Sequence, residues 1–281
     1  MAILGIDLGG TNVRVGSIDK NSLVRVESMS ITKDGSANEV INEIFILIEK
    51  FSISEIMGIG IGVPSLVDIE RGIVYDVQNI PSWKEVHLKE IIENRYGIPV
   101  YINNDANCFT VGEKYFGKGK KYKNIVGLIL GTGMGAGILI NDKLYSGKNC
   151  GAGEFGAISY LKKTYEYYCS GQFFINEYNI SGEKLFKKAK EGDYEAIKIF
   201  SNFGANVGEA IKLIMFSIDP DAIILGGSVT KSFNFFKEDM FKSIRGFYYS
   251  KSIENIKIEV SEIENVSILG AAALYYDNLR K

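Results

Sequence analysis

Three glycine-rich stretches each follow an apolar run: Asp7-Leu8-Gly9-Gly10-Thr11-Asn12, Gly131-Thr132-Gly133-Met134-Gly135 and Gly226-Gly227-Ser228. Glycine lets backbone N–H groups close round phosphate oxygens, and a Thr or Ser hydroxyl adds a donor. Each stretch taken singly reads equally as a plain hairpin turn. None has the GxxxxGK[ST] spacing of a P-loop, and none is a GxGxxG turn leading into a helix. A phosphate grip built from them would use two hairpins rather than one loop and one helix. Asp7 ends the first apolar run, where the magnesium of a bound triphosphate would lie; that ion takes one or two carboxylates beside phosphates and water. The plainer role for Asp7 is to start the turn by accepting from the following amides.

Asn103-Asn104-Asp105-Ala106-Asn107 is the second concentration of polar groups. It stands between an apolar strand and a helix, where Asn and Asp serve as N-caps. The same position, at the C-terminal edge of a strand, also suits an Asp that accepts the proton of a substrate hydroxyl, with Asn104 orienting that hydroxyl.

The elements that carry these groups follow from the hydrophobic pattern. Strands are predicted at Ala2–Asp7, Asn12–Asp19, Ser22–Thr32, Gly58–Val63, Val100–Ile102, Ile125–Leu130, Gly135–Ile140, Asp221–Leu225 and Ile256–Val260. Helices are predicted over Val40–Phe51, Trp83–Tyr96, after Asp105, over Glu183–Glu191, through Ile199–Ile214 and from Ser267. Strands alternating with helices give an α/β protein. GIDLGGTNVRVGSID and GLILGTGMGAGILIND share the order strand, Gly-Thr turn, strand at a separation of 122 residues, which predicts two similar halves. The division expected is a lobe of residues 1–115, with the helix 267–281 folding back on it, and a second lobe of residues 116–266.

Composition narrows the class. The 281 residues are 46% hydrophobic and 23% charged, as a globular chain requires, and the net charge of −2 gives no cationic face for a nucleic acid. Lys118, Lys120, Lys121 and Lys123 read as a solvated turn. Three cysteines are too few and too scattered for a disulfide framework. His87, the single histidine, has no nucleophile beside it and reads as a surface or boundary residue. The run Ile125–Ile140 is broken by five glycines and is too short to span a membrane. Met1 leads straight into a glycine turn with no basic leader. A soluble cytoplasmic protein, with no nucleic-acid or membrane partner, is expected.

The set DLGGTN (7–12), GIGVPSLVD (60–68), NIPSW (79–83), NNDAN (103–107), GLILGTGMGAGILI (127–140), GAGEFG (151–156) and IILGGSV (223–229) resembles the ROK family, in the right order and over almost the whole chain. These are sugar kinases and related repressors with the two-lobed actin-like ATPase (ribonuclease H-like) fold. The resemblance implies ATP and Mg²⁺ as cofactors, a hexose as substrate, an interdomain cleft holding both substrates, and a homodimer. It implies Asp105 as the catalytic base and Asn104 as a sugar ligand, together with Glu154 and Glu166; Asn79 and Ser65 would line the sugar wall. Asp7 would be the magnesium-side carboxylate, partly through water. Gly9, Gly10, Thr11 and Asn12 would form the first phosphate turn, Gly131, Thr132 and Gly133 the second, and Gly226 and Gly227 the adenosine turn.

The departures are specific. The family's GExGH is followed by a CxCGxxGCxE zinc cluster. Here Ala157 stands at the His position, and Ile158–Tyr165 is short and free of cysteine. Cys169 alone cannot make a four-ligand site, so no zinc is expected. Tyr160, Tyr165, Tyr167, Tyr168, Phe173 and Phe174 are expected to pack in place of the metal. Glu166 reads otherwise as a solvated acid at a helix start. Two rival functions remain. Repressors of this family carry a DNA-binding helix-turn-helix ahead of the DxGGT turn, for which the six residues before Asp7 leave no room. A catalytically weak sugar or nucleotide sensor is the alternative that the missing His and cluster raise.

Overall fold

The computed structural model describes residues 1–77 and 80–279. Strands β1 (Ala2–Leu8), β2 (Asn12–Asp19) and β3 (Ser22–Ser30) form an antiparallel meander. Helix α1 (Ala37–Ile48) follows, started by a capping box in which Ser36 and Glu39 satisfy each other's backbone amides. Its face of Val40, Ile41, Ile44, Phe45, Leu47 and Ile48 is buried. The chain then returns in β4 (Ile56–Val63), parallel to β1. Short strands β5 (Leu66–Asp68), β6 (Ile73–Tyr75) and β7 (Glu85–Val86) make a sheet of their own. Helix α2 (Leu88–Tyr96), β8 (Val100–Asn104) and α3 (Asp105–Phe116) complete this stretch.

After it come β9 (Ile125–Leu130), β10 (Met134–Ile140) and β11 (Lys143–Leu144), then a small hairpin of β12 (Ser159–Tyr160) and β13 (Lys163–Thr164). Helices α4 (Tyr165–Cys169), α5 (Gly171–Tyr178), α6 (Gly182–Lys190) and α7 (Tyr194–Ile218) lead to β14 (Ala222–Gly226). Helices α8 (Phe233–Ile244) and α9 (Ser250–Asn255), strand β15 (Lys257–Val260) and helix α10 (Val266–Leu279) end the fold.

The two five-stranded sheets have one plan. The first runs β3–β2–β1–β4–β8 and the second β11–β10–β9–β14–β15. In each, the two strands after the hairpins join as parallel neighbours. The internal repetition in the sequence is therefore a duplication of sheet topology, the ribonuclease H-like arrangement. Among the described residues no helix is long and apolar enough to cross a membrane.

Two compact units result: Met1–Lys121 with Gly137–Ala152 and Glu262–Lys281, and Tyr122–Ala136 with Gly153–Ser261. In the first, β1 buries Leu4, Ile6 and Leu8 on the face that meets α1, and Ile3 on the face that meets α10. Close approach on the α10 side needs a residue without a side chain: a Cβ at Gly60 would collide with the Ala271 carbonyl. The second unit centres on aromatic rings, with Phe174, Phe200, Phe203 and Phe236 fully buried and in mutual ring contact.

The single helix expected over Trp83–Tyr96 begins only at Leu88. Glu85 and Val86 pair instead with Tyr75 and Val74, and Trp83, completely buried, closes a turn by donating its backbone N–H to the Ile80 carbonyl. Burial of the indole and a strand partner outweigh helix propensity there. His87 is the half-exposed residue ahead of α2, without a side-chain cap bond.

Candidate active site

The register of the first sheet sets its polar groups in a row. Asp7 on β1 stands opposite Arg14 on β2 and Gly62 on β4, and Gly62 in turn opposite Asn103 on β8. Adjacent strands lie about 4.8 Å apart, so the row reaches from Asp7 to Asn103 in two steps. Asp7, Gly62 and Asn103 sit at the C-terminal ends of parallel strands, where α/β sheets bind ligands. Cys108 of α3 lies over Gly62, and burial, then the charges of Asp105 and Asp7, push its thiol pKa well up. The carboxylates of Asp7 and Asp105 thus converge on one neighbourhood of the first unit.

The turn between β1 and β2 is closed by the Gly9 N–H donating to the Asn12 carbonyl at 2.9 Å. Asn12 Nδ2 donates to Thr11 Oγ1 at 3.2 Å, which leaves the threonine proton available to an acceptor outside the turn. Arg14 Nε and Nη2 both donate to Asp7 Oδ2, at 3.1 and 2.6 Å. Oδ1 of Asp7 makes no hydrogen bond among the described residues. A hard carboxylate oxygen with a free lone pair fits Mg²⁺, which keeps several waters and needs few protein ligands.

Asn104 and Asp105 occupy the junction of β8 and α3. Asn104 Oδ1 accepts the Ala106 N–H at 2.8 Å as the N-cap, and Asp105 Oδ1 accepts the same N–H at 2.8 Å. The amide group of Asn104 is left to donate elsewhere. Behind them lies a buried polar network that the sequence reading missed. Asn103 Oδ1 accepts from Asn104 N (2.9 Å), Asn107 Nδ2 (2.8 Å) and Cys150 Sγ (3.3 Å), while Asn103 Nδ2 donates to Ser146 Oγ at 3.3 Å. Asn103 and Asn107 are 3% and 1% exposed, so these bonds replace water that cannot enter. Asn103 and Ser146 also line a cavity of about 890 Å³ in the first unit, bounded by Tyr75, Lys89, Tyr101 and Tyr145. Ser65 sits half-buried between β4 and β5, and Asn79 lies outside the described residues.

The second unit carries the other candidates. Gly131, Thr132 and Gly133 form the turn from β9 to β10, with the Gly131 N–H donating to the Gly133 carbonyl at 3.0 Å. Nothing lies within 4 Å of where a Gly131 Cβ would be, so the backbone there faces open space, as phosphate binding requires. Gly226 ends β14, and Gly227 follows with φ of 90°. Glu154 is exposed, yet desolvation of its carboxyl, followed by the charge of Glu166, raises its pKa. Glu166 is half-buried in α4 rather than solvated, with Oε2 accepting the Met134 N–H at 3.0 Å. The six expected aromatics form one chain of ring contacts, from the stacked Tyr160–Tyr165 pair at 4.4 Å through Tyr168 to Phe173 and Phe174.

Comparison with known proteins decides the family: residues 3–278 match the profile of the ROK family. The chain belongs to the ROK family. Among its ROK relatives, the glucokinase of Thermotoga maritima is 25% identical, the alignment covering 99% of this chain and 98% of that protein. The xylose repressor of Caldicellulosiruptor bescii is 27% identical, over 99% of this chain and 79% of that one. A ROK family glucokinase from Streptomyces griseus, solved in complex with glucose and AMPPNP, superposes with a TM-score of 0.81 at 25% identity, covering 98% of this chain and 99% of that one. The fold is therefore the α/β actin-like ATPase fold of the ROK sugar kinases, in a family whose members include both kinases and repressors.

Proposed function

We propose that this ROK protein is an ATP-dependent kinase that phosphorylates a hydroxyl of a hexose. The observation that carries the reading is the placement of Asp105. Its carboxylate stands at the C-terminal edge of the parallel strands, beside the capping Asn104 and two residues beyond Asn103, which is in register with Asp7, while a glycine-threonine turn recurs at the equivalent hairpin of both sheets. The kinase relatives support the same chemistry.

Bound Mg·ATP supplies the γ-phosphoryl group and the charge of a divalent cation, with Asp7 Oδ1 as the carboxylate on the metal side. Asp105 accepts the proton of the attacking sugar hydroxyl. Asn104 Nδ2 donates to a sugar oxygen and fixes the acceptor's orientation, because Asn104 Oδ1 is already committed to the helix cap. Glu154 and Glu166 accept from other sugar hydroxyls, with Ser65 and Asn79 at the edge of the sugar. Amides of Gly10 and Asn12, the hydroxyls of Thr11 and Thr132, and the amide of Gly133 donate to phosphate oxygens, while the Gly9 and Gly131 amides close the two turns. Gly226 and Gly227 lie along the adenosine. Positioning and preorganised donors provide most of the acceleration in such a transfer.

A sensor that binds sugar or nucleotide with little turnover is the second reading, favoured by Ala157 where kinases of the family carry His, and by the repressors among the relatives. One assay separates the two. ADP release with Mg·ATP is followed across glucose, mannose, fructose, allose, N-acetylglucosamine and N-acetylmannosamine, beside an Asp105→Asn protein. Sugar-dependent release that falls by about 10²–10⁴-fold in the variant is the expected result. No sugar-dependent release would favour the sensor, and release undiminished by Asp105→Asn would place the base elsewhere.

A further inference from the structure

Glu166 is expected on the sugar side, yet its hydrogen bonds run to the turn expected to hold phosphate. Its Oε2 accepts the Met134 N–H at 3.0 Å, and a Cβ at Gly133 would press directly on that same oxygen. Six residues on, Gln172 Nε2 reaches Glu166 Oε1 at 3.5 Å, and the Gly171 N–H donates to the Gly131 carbonyl at 2.7 Å. The segment Glu166–Gln172 thereby holds the Gly131–Met134 turn at both ends, through a carboxylate at one and a backbone amide at the other. Met134 is 4% exposed, and its N–H is the donor that the Glu166 carboxylate satisfies. A side chain at Gly133 would push aside the carboxylate that braces the turn.

We infer that Glu166 is a positioning residue for the nucleotide, bracing the Gly131–Met134 turn in its phosphate-binding shape independently of any sugar. The inference rests on the kinase reading and adds a second substrate to the reach of this one side chain. Two effects oppose each other when Glu166 is deleted. The turn loses its brace, which weakens nucleotide binding, and a negative charge near the phosphates is removed, which strengthens it. Glu166→Asp separates them, since it keeps the charge but draws the carboxylate back by one methylene from the Met134 amide. Glu166→Gln keeps an acceptor oxygen at full reach.

The test is calorimetric titration of the full chain with Mg·AMPPNP and no sugar. Glu166→Asp is expected to raise the Kd on the order of tenfold, the cost of one buried hydrogen bond. Glu166→Gln is expected to restore affinity to within about twofold to threefold of the unaltered chain. Glu166→Ala, checked for folding by circular dichroism, loses brace and charge together and should bind more weakly than the Gln variant but no more weakly than the Asp variant. Equal affinity in the unaltered chain and the Asp variant would overturn the inference and confine Glu166 to the sugar, leaving the kinase reading intact. An unaltered chain that binds no Mg·AMPPNP would defeat the kinase reading, and this inference with it.

Discussion

Asn104 and Asp105 leave the β8–α3 junction in fixed directions because Asn103 Oδ1 accepts three hydrogen bonds at once, from Asn104 N, Asn107 Nδ2 and Cys150 Sγ. Asn103→Ala takes that shared acceptor from all three donors, at about 1–3 kcal/mol of stability. A thermal melt should show the loss. Steady-state kinetics should show kcat down by about tenfold, in keeping with a displaced base, with the KM for sugar changed much less. A KM effect without a kcat effect would mean that the network shapes the sugar wall instead. Glu154 gives a pH signature. Its carboxyl titrates above the ordinary 4.5, through desolvation first and the Glu166 charge second. As the proposed sugar ligand it accepts hydroxyls more strongly when ionised, so the KM for sugar should rise as pH falls through that raised value. Glu166→Gln removes the second cause and should move this limb to lower pH while leaving the first in place. A limb that does not move would show that the two carboxylates act separately on the sugar.

At the scale of elements, the close seat of α10 on the first sheet is the most exacting packing contact. A Cβ at Gly60 meets the Ala271 carbonyl, and one at Gly5 meets that of Ile268, so strand and helix backbones touch with nothing between them. Gly60→Ala should destabilise the protein by about 1–3 kcal/mol or more, measured as a lowered urea midpoint at unchanged m-value. An unchanged midpoint would mean that α10 can shift outward freely. Elements defined by local pattern were legible in the sequence: the β1–β2 and β9–β10 hairpins by their Gly-Thr turns, and α7 by its 3.6-residue period. The sheet of β5, β6 and β7 was not, because strands of two or three residues have no periodicity and depend on each other and on buried Trp83. The same limit applies to the site. DLGGTN and NNDAN announce themselves locally, whereas Asn103 finds Ser146 and Cys150 at 43 and 47 residues' distance, and Glu166 finds Met134 at 32. Such pairings are fixed by the tertiary fold, and no local spacing encodes them.

On the scale of the whole molecule, one sheet plan used twice gives each copy a glycine-threonine hairpin after its first strand. Only the first copy follows its last parallel strand with an acid at a helix start. In the second sheet the corresponding strand, β15, leads instead through Ser261 and Glu262 towards α10. A kinase of the proposed kind uses that asymmetry: a glycine-threonine turn in each unit to bind phosphate, and a single base, Asp105, for one acceptor. The most direct test is to incubate the protein with Mg·ATP and the sugar that best stimulates ADP release, and to follow the products by ³¹P nuclear magnetic resonance. A sugar phosphate ester forming in step with ADP, and absent with Asp105→Asn, is the predicted result. Inorganic phosphate as the sole product beside ADP, or no product at all with any hexose, would contradict it.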